Sequence, residues 1–500
     1  METSSRSSFF QRHRKLFVLI FLFCVGLYGS TLTLPNRVGL IGETLMLSDT
    51  AVRFLSDETY LNQKGEREST QQIFDEVFSM IDSAQKYILV DMFLWNPFQG
   101  ASPELHRPLS QELTDKLIAK KNAHPEMTIV VVSDPINTVY AGQASAQFDA
   151  MKASGIIVVL TDLGHLRDSN PLYSALWRGV FQWGDVLHLT LLDKPYTFRW
   201  LPNIMDNGGE KVPLRSYLKL FNFKANHRKL IVVDDGKGEQ GNMVTLVTSA
   251  NPHDGSSMHS NVALRIEGGV WNDVVLGERS IGEFSGVDIP DVEYSTNKSS
   301  TTGAVSVQYL TENGILLRTL SVIEKAGTGD EVDLAMFYFS ERKIIDALIS
   351  ASNRGAVVRV ILDANKDAFG LKKNGIPNRS VAGKLIRESQ GKIVVRWCET
   401  HGEQCHSKML IVKTPEESVL LLGSANFTKR NLENLNLEAD VLVASKESST
   451  AFLDARSYFL RMWNNENDRI YTSEYEAYRD DSLWHRILGY LMERTGLSTF

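Results

Sequence analysis

The chain has 500 residues, 43% of them hydrophobic, and a net charge of −7 at pH 7. This length and apolar content are enough to bury a large core and to form two domains. The negative net charge argues against a protein that binds the nucleic-acid backbone over a broad surface, because such binding needs a stripe of basic residues. A local basic pocket is compatible with this net charge.

The N-terminal segment has the pattern of a membrane anchor. Basic residues at 12–15 precede an uncharged stretch, Leu16–Leu34, which is long enough to span a bilayer. The charge asymmetry predicts a cytoplasmic tail and one transmembrane helix within residues 1–35, with an extracytoplasmic body. A cleaved signal peptide is the alternative, since the strongly apolar part is short, but no A-x-A site follows it. A lipoprotein signal at Cys24 is disfavoured by Phe23 before it.

Strand and helix signals alternate along the rest of the chain. Apolar strands separated by helical stretches occur at Tyr87–Phe93, Met127–Val132 and Gly155–Leu160, and again at Val332–Phe337, Ala356–Leu362 and Lys392–Trp397. This alternation predicts an α/β fold with mainly parallel sheets covered on both faces. Periodicity is lost near 288–304, which predicts a linker between a first half, 40–290, and a second half, 305–475.

The first half contains an insertion at 161–222 that the second half lacks. It is rich in aromatic residues: Tyr173, Trp177, Phe181, Trp183, Tyr196, Phe198 and Trp200. Such an insertion is most often a packed subdomain. Because it leads directly to the strand that begins near His227, it is also placed to form the rim of a site at a lipid interface, where Trp and Tyr are favoured.

Two distant segments repeat one pattern, a His-x-Lys pair before an apolar strand and a Ser-x-Asn turn after it. The first copy comprises His227, Lys229, Ser249 and Asn251, and the second comprises His406, Lys408, Ser424 and Asn426. Residues i and i+2 of a strand share a face, so each pair points the same way at a rigid strand end. Imidazole can act as nucleophile or proton carrier near pH 7, lysine binds phosphate oxygens, and Ser and Asn add neutral donors. One such pair is usually an exposed surface pair; its duplication favours a two-site phosphodiester enzyme.

Cysteine usage is sparse, with Cys398 and Cys405 the two cysteines of the body. In an exported protein they could form a disulfide across the loop before His406. Together with His401 and His406 they could also be metal ligands. His406 already belongs to the duplicated motif and the spacing fits no common zinc pattern, so no metal site is predicted.

The C-terminal segment, 476–500, predicts an amphipathic helix. Its apolar face consists of Leu483, Trp484, Ile487, Leu488, Leu491 and Met492. Such a face usually docks on its own domain. Since Ala451–Trp463 already predicts a closing helix, the C-terminal helix could instead lie on a membrane or mediate self-association.

The duplicated motif resembles that of the phospholipase D superfamily, His-x-Lys-x4-Asp with a downstream Gly-Ser-x-Asn, and the resemblance extends over most of the chain after about residue 40. It implies two similar halves packed around a shared central active site, without metal or cofactor. It also implies that His227 attacks phosphorus to form a phosphohistidine while His406 serves as acid and base. Lys229, Lys408, Asn251 and Asn426 would then bind the phosphoryl oxygens.

Three positions depart from the family pattern. Asp234 supplies the motif aspartate of the first copy, whereas the second has Lys413. The first copy also has Thr248 before Ser249 in place of glycine. The family carboxylate expected to bond the histidine of the same half is present as Glu438 after Asn436, whereas the first copy has Ala263 after Asn261. We therefore expect His406 to have a carboxylate partner, His227 to lack one, and the two histidines to differ.

Three functions fit the sequence. The first is a membrane-anchored phospholipase D or phosphatidyltransferase, similar to a cardiolipin synthase, that cleaves phospholipid headgroup phosphodiesters and transfers to water or an alcohol. The second is a nuclease of the same superfamily, which would need a wider, basic groove. The third is a membrane-tethered binding protein weakened by Lys413 and Ala263. The predicted catalytic residues are His227, Lys229, Ser249, Asn251, His406, Lys408, Ser424, Asn426 and Glu438, with Asp234 supporting the motif.

Overall fold

The computed structural model describes residues 2–100, 106–188, 190–191, 194–195, 197–206, 208–237, 242–292, 303–368 and 371–498. Most of the predicted linker at 288–304, and Tyr196 of the insertion, lie outside these residues.

Helices and strands are interspersed up to residue 292. Helices α1 to α7 cover Glu2–Ser30, Ile73–Ser83, Leu109–Ala123, Ala146–Ala153, Pro171–Gly179, Leu214–Leu220 and Val270–Phe284. Strands β1 to β13 cover Leu45–Leu47, Val52–Leu61, Arg67–Thr70, Tyr87–Met92, Thr128–Ser133, Ile157–Leu160, Thr190–Leu191, Lys194–Pro195, Arg199–Leu201, Val212–Pro213, Lys229–Asp234, Met243–Thr248 and Asn261–Glu267.

The remainder of the chain follows the same scheme. Helices α8 to α13 cover Glu312–Lys325, Arg342–Asn353, Asn378–Glu388, Lys429–Leu432, Thr450–Asn464 and Leu483–Thr495. Strands β14 to β23 cover Val305–Leu310, Glu331–Met336, Val357–Asp363, Asp367–Ala368, Leu371–Lys372, Val394–Cys398, Lys408–Lys413, Ser418–Gly423, Asp440–Ser445 and Thr472–Glu474.

Two large sheets organise the body. One has the order β3-β2-β13-β12-β11-β4-β5-β6, and the other β1-β14-β22-β21-β20-β15-β16-β19-β23. The seven strands from β2 to β6 in the first sheet and the seven from β14 to β19 in the second follow one another in the same relative chain order. The predicted strand successions correspond to β4, β5, β6 and to β15, β16, β19, and within each set neighbours pair in parallel.

The prediction of mainly parallel sheets is wrong, because both sheets are mixed. The other pairings in the two large sheets are antiparallel, including β11 with β4 and β12 and β20 with β15 and β21. Strands β20 and β21 are joined by only residues 414–417. A connection this short can form a hairpin but not the crossover that parallel neighbours require.

Alternate residues of the two central strands show how the sheets pack. Leu230 and Val232 of β11 share one buried cluster with Met409 and Ile411 of β20, so these faces meet between the sheets. The intervening residue Ile231 faces a cluster that contains α2 and α3 residues. Its counterparts on β20 face a cluster with α8, α9 and α10. Strands β11 and β20 are therefore each buried on both faces, as their apolar runs predict.

Helix α1 is, within the described residues, the one helix long and apolar enough to cross a membrane, over His13–Ser30. Most of its apolar side chains are exposed, including Leu19 at 64% and Phe23 at 72%. Its length and composition fit the predicted anchor.

Candidate active site

The two histidines precede β11 and β20 and are held by backbone contacts from the opposite half. The His227 N–H donates to the Leu437 carbonyl at 2.9 Å, and the His406 N–H donates to the Ser260 carbonyl at 2.9 Å. Both imidazoles line one cavity of about 380 Å³. The duplicated motifs thus converge on a single site between the halves.

Glu438 is bonded to His227, not to His406 as the sequence predicted. The Nδ1 of His227 lies 2.8 Å from Glu438 Oε1, and Glu438 also accepts hydrogen bonds from Ser424 and Asn431. The prediction failed because it assumed pairing within one half. Strand β22 begins at Asp440 in the second large sheet, but Leu437, three residues earlier, pairs with Asn226 of the first half.

Asn261 is the structural counterpart of Glu438 on the other histidine. Its Oδ1 lies 3.1 Å from His406 Nδ1 and accepts from Ser249 Oγ at 3.0 Å, while its Nδ2 donates to the His259 carbonyl at 3.0 Å. The absence of a carboxylate in the first copy therefore affects His406. Because the amide oxygen can only accept, His406 carries its hydrogen on Nδ1 and presents Nε2 to the cavity.

Burial keeps both imidazoles neutral near pH 7. Burial lowers the pKa of His227 to about 4, with the carboxylate of Glu438 opposing and Lys229 adding to the shift. Burial, reinforced by Lys408 and His259, holds the pKa of His406 well below its usual value. The pKa of Glu438 itself is lowered, because the effect of burial is outweighed by His227 and its other donors, so Glu438 is an anion.

The motif lysines lie behind the histidines and are fully buried. The Nζ of Lys229 donates to the His227 carbonyl at 2.6 Å, and that of Lys408 to the His406 carbonyl at 2.7 Å. Burial lowers the pKa of Lys229 to about 7, and burial together with the neighbouring Lys229 holds the pKa of Lys408 well below its usual value. Neither lysine is among the residues that line the cavity. An anion bound there would favour their charged forms, so they can stabilise charge in the site as it develops.

The serine and the asparagine of each Ser-x-Asn turn have different roles, which the sequence did not show. Ser249 and Ser424 donate to Asn261 and Glu438, so they fix the partners of the histidines. Asn251 and Asn426 line the cavity. Asn251 accepts from the Leu94 N–H through Oδ1, which directs its amide donors toward the cavity.

Asp234 lies outside the cavity at the far end of β11. Its carboxylate accepts from the backbone N–H groups of Gln85, Lys86 and Tyr87. The motif aspartate of this chain therefore anchors the start of β4. Lys413, at the end of β20, is exposed, so this departure also leaves the cavity unchanged.

Several cavity residues were missed by the sequence analysis because no repeated spacing marks them. Three cations line the cavity, Lys224, Lys373 and Arg430, and no aspartate or glutamate of the described chain is among its lining residues. Its aromatic and aliphatic wall comprises Phe93, Leu94, Ile136, Tyr140, Leu220, Phe223, Phe337 and Tyr338. The site is thus cationic with an apolar flank, which suits an anion carried on an apolar molecule.

A buried ion network ties the two halves together beside the site. Arg228 donates to Glu278 of the first half at 2.9 Å and to Glu312 of the second at 3.0 Å. Glu312 also accepts from the Glu438 N–H at 2.8 Å. Glu312 therefore holds both Arg228, which follows His227 in the chain, and Glu438, which bonds the His227 imidazole.

The loop before His406 is closed by a Cys398–Cys405 disulfide. The Cys405 N–H donates to Asp363 at 2.9 Å. Both contacts fix the entry of the chain into β20, as one of the two sequence interpretations predicted.

Residues 320–463 match the family model described as cardiolipin synthase, PLD-like domain. The resemblance to the phospholipase D superfamily is thereby confirmed. The match includes His406, Lys408, Glu438 and the second Ser-x-Asn turn. No curated protein sequence matches this chain significantly.

Two solved structures are similar to this chain. Phosphatidylserine synthase of Haemophilus influenzae Rd KW20 superposes with a TM-score of 0.55 at 12% identity, over 95% of this chain and 97% of that chain. The phospholipase D family member Nuc from Salmonella typhimurium is 22% identical over 35% of this chain and 99% of its own length, with a TM-score of 0.27. The phosphatidylserine synthase therefore shares the mixed α/β fold of nearly the whole chain.

Proposed function

We propose that this protein is a membrane-anchored phosphodiesterase or phosphatidyltransferase that cleaves phospholipid headgroup phosphodiesters through a covalent phosphohistidine. The observation that carries the proposal is the pair of imidazoles in one cavity, each with Nδ1 held by an acceptor from the opposite half. That arrangement leaves two Nε2 atoms available to one phosphate.

In the first step, His227 Nε2 attacks phosphorus and the bond to the leaving alkoxide breaks. The bound phosphodiester anion favours the protonated form of His406, in which both ring nitrogens carry a hydrogen. Its Nε2 proton passes to the alkoxide, so the leaving group departs as an alcohol and His406 is left neutral with its hydrogen on Nδ1. The phosphorylated His227 ring keeps its Nδ1 hydrogen and is cationic, and the Glu438 carboxylate at 2.8 Å stabilises that charge. Glu438 is the reason to assign the nucleophile to His227.

In the second step, water or an alcohol attacks the phosphohistidine. His406 Nε2 takes the proton of the incoming hydroxyl, and the P–N bond breaks to regenerate neutral His227. Asn251, Asn426 and the buried lysines support the phosphoryl oxygens. Hydrolysis and transfer differ only in which hydroxyl enters.

A phospholipid fits this cavity better than a nucleic acid. Lys373 and Arg430 offer charge for the phosphate, whereas the third cation, Lys224, is paired with Asp168 at 2.6 Å. The flank of Ile136, Leu220 and Phe223 suits the glycerol and acyl region. The chain has a net charge of −7, and α1 can hold the body at a bilayer. These features favour lipid over the extended polyanion that a nuclease must bind.

The test uses the full chain in lipid nanodiscs containing phosphatidylglycerol and phosphatidylserine, with glycerol as acceptor, and single- and double-stranded DNA in separate reactions. We expect headgroup release or a new phospholipid, and persistence of activity in chelator. Cleavage of DNA alone would replace this proposal with a nuclease.

The nucleophile is identified with a p-nitrophenyl phosphodiester, whose leaving group needs no proton. His406→Asn should accumulate an acid-labile phosphoryl adduct, because the base for the second step is missing, whereas His227→Asn should form none. Both should lose activity on phospholipid by about a thousandfold or more. His124→Asn, at an exposed position after α3, is the matched control and should keep full activity.

A further inference from the structure

Helix α5 of the insertion packs against the membrane helix α1 through small residues. A Cβ added at Gly26 would lie 3.3 Å from the Pro171 carbonyl and 3.4 Å from Ala175 Cβ, and one at Gly179 would lie 3.2 Å from the Phe21 ring. Small residues at a helix crossing allow the close backbone approach that is typical of helix pairs in membranes.

The contacts also give the direction of α5. The Gly29 carbonyl accepts from the Asp168 N–H at 3.0 Å, just before α5 begins. Gly179, at the other end of α5, lies beside Phe21. Helix α5 therefore runs antiparallel to α1, back along the segment from Gly29 to Phe21, which is about 12 Å of helix.

The outer face of α5 and the turn after it is apolar and exposed. Its residues are Leu172, Leu176, Val180, Trp183, Val186 and Leu187, and Leu172 is exposed at 77%. Arg178 is paired with Asp168 at 2.9 Å, on the side toward the end of α1. A contiguous apolar surface beside a membrane helix requires an apolar partner.

The same surface reaches the mouth of the cavity. Tyr173 of α5 stacks edge-on with Phe221, and Phe221 with Phe223, which lines the cavity. On the other side, Arg430 of the cavity donates to the Gly496 carbonyl at the end of α13 at 2.9 Å. Gly496 also lies against Ser169, just before α5.

Helix α13 adds a second exposed apolar face at this point. Leu488 and Met492 pack on Phe337 and Tyr338 of the cavity wall. Other apolar residues of the predicted face remain exposed: Leu483, Trp484, Ile487 and Leu491. Only part of the amphipathic face therefore docks on its own domain.

We infer that α5 and residues 180–187 insert into the leaflet that holds the C-terminal part of α1, and that α13 lies on the same leaflet across the cavity mouth. We call these residues the membrane-docking surface; the inference rests on the proposed anchoring of the chain by α1. Phospholipid headgroups would then reach the histidines while their acyl chains stay in the bilayer. The CH₂ groups of the acyl chains would then remain out of contact with water.

The test places an environment-sensitive fluorophore on single cysteines in the full chain in nanodiscs, with Cys24→Ala as background. Labels at Leu172→Cys, Trp183→Cys and Trp484→Cys should be quenched by lipids carrying a spin label. Val357→Cys is the control, since Val357 is 49% exposed and starts β16 at the end of the sheet remote from the cavity. Its label should be quenched by aqueous iodide alone. Quenching of the 172 and 183 labels by iodide alone, or protection from both quenchers, would overturn the inference.

A functional measurement separates this inference from the proposed chemistry. Leu172→Lys with Val186→Lys should lower turnover of nanodisc phospholipid at least tenfold while turnover of the soluble p-nitrophenyl diester is unchanged. Equal loss on both substrates, or loss on neither, would contradict the docking role. If the unaltered protein turns over neither substrate, the proposed function fails, and the quenching pattern still decides whether the surface meets lipid.

Discussion

Asn261 is the position where one substitution tests both the mechanism and the division of roles between the histidines. Its Oδ1 lies 3.1 Å from His406 Nδ1, where the other histidine has the Glu438 carboxylate at 2.8 Å. Asn261→Asp gives His406 the charged partner that His227 already has. We expect it to raise the pKa of His406.

The size of the shift follows from opposing effects. A unit charge at about 4 Å contributes about 4 kcal/mol at an effective dielectric of 20. One pKa unit corresponds to about 1.4 kcal/mol, so the upper limit is about three units. Asn261 Nδ2 donates to the His259 carbonyl at 3.0 Å, and the carboxylate would face that carbonyl with no donor. Losing this hydrogen bond lowers the free energy of unfolding by about 1–3 kcal/mol. It also leaves the carboxylate less well placed against the imidazole, so we expect the pKa of His406 to rise by about one to two units.

The assay is the pH dependence of kcat on a phospholipid substrate in the full chain. If His406 is the acid, it must be protonated for the first step, and activity falls as pH rises above its pKa. Raising that pKa moves the alkaline limb of the profile to higher pH by one to two units. If His406 were the nucleophile, it must be neutral, and the acid limb would move upward instead.

The control is the denaturation midpoint of Asn261→Asp, which establishes that the variant is folded. If the variant is folded and active but neither limb of its pH profile moves, then the contact between residue 261 and the His406 imidazole does not determine the pKa of His406.

Three further variants probe the framework of the site. Glu438→Gln should lower kcat about 10- to 100-fold with little change in melting temperature, since it removes the charge that supports His227; an unchanged kcat would contradict the role of Glu438. Arg228→Met should lower the free energy of unfolding by about 3–5 kcal/mol, measured by denaturant titration, because it leaves two buried carboxylates unpaired. Cys398→Ser should lower it by about 2.5 kcal/mol, and a reductant should reproduce this loss in the unaltered protein only.

Much of the local structure could be predicted because it follows from periodicity. The apolar runs after Lys229 and Lys408 form strands buried on both faces, and the parallel triplets lie where alternating strand and helix signals placed them. The duplication of His-x-Lys was enough to place His227 and His406 in one cavity. The antiparallel pairings were missed because the direction of a neighbouring strand depends on the length of the connection to it. Hydrophobic periodicity gives no information about that direction.

The partners of the histidines could not be predicted from the sequence. Alignment of the two Asn-x-Glu-like segments put Ala263 opposite Glu438, whereas the shared contact to the serine of each turn shows that Asn261 is the counterpart. Hydrogen bonds that cross between halves depend on how the two sheets meet, and no local pattern encodes that.

The crossed arrangement makes the active site and the junction between the halves one structure. His227 receives both its backbone acceptor, Leu437, and its carboxylate, Glu438, from the second half, and His406 receives Ser260 and Asn261 from the first. Neither half alone can orient its own histidine, because each lacks the acceptor for Nδ1 and for the backbone N–H. Any change that separates the halves therefore displaces both imidazoles at once. Activity should then be lost when the junction between the halves opens, before either sheet unfolds.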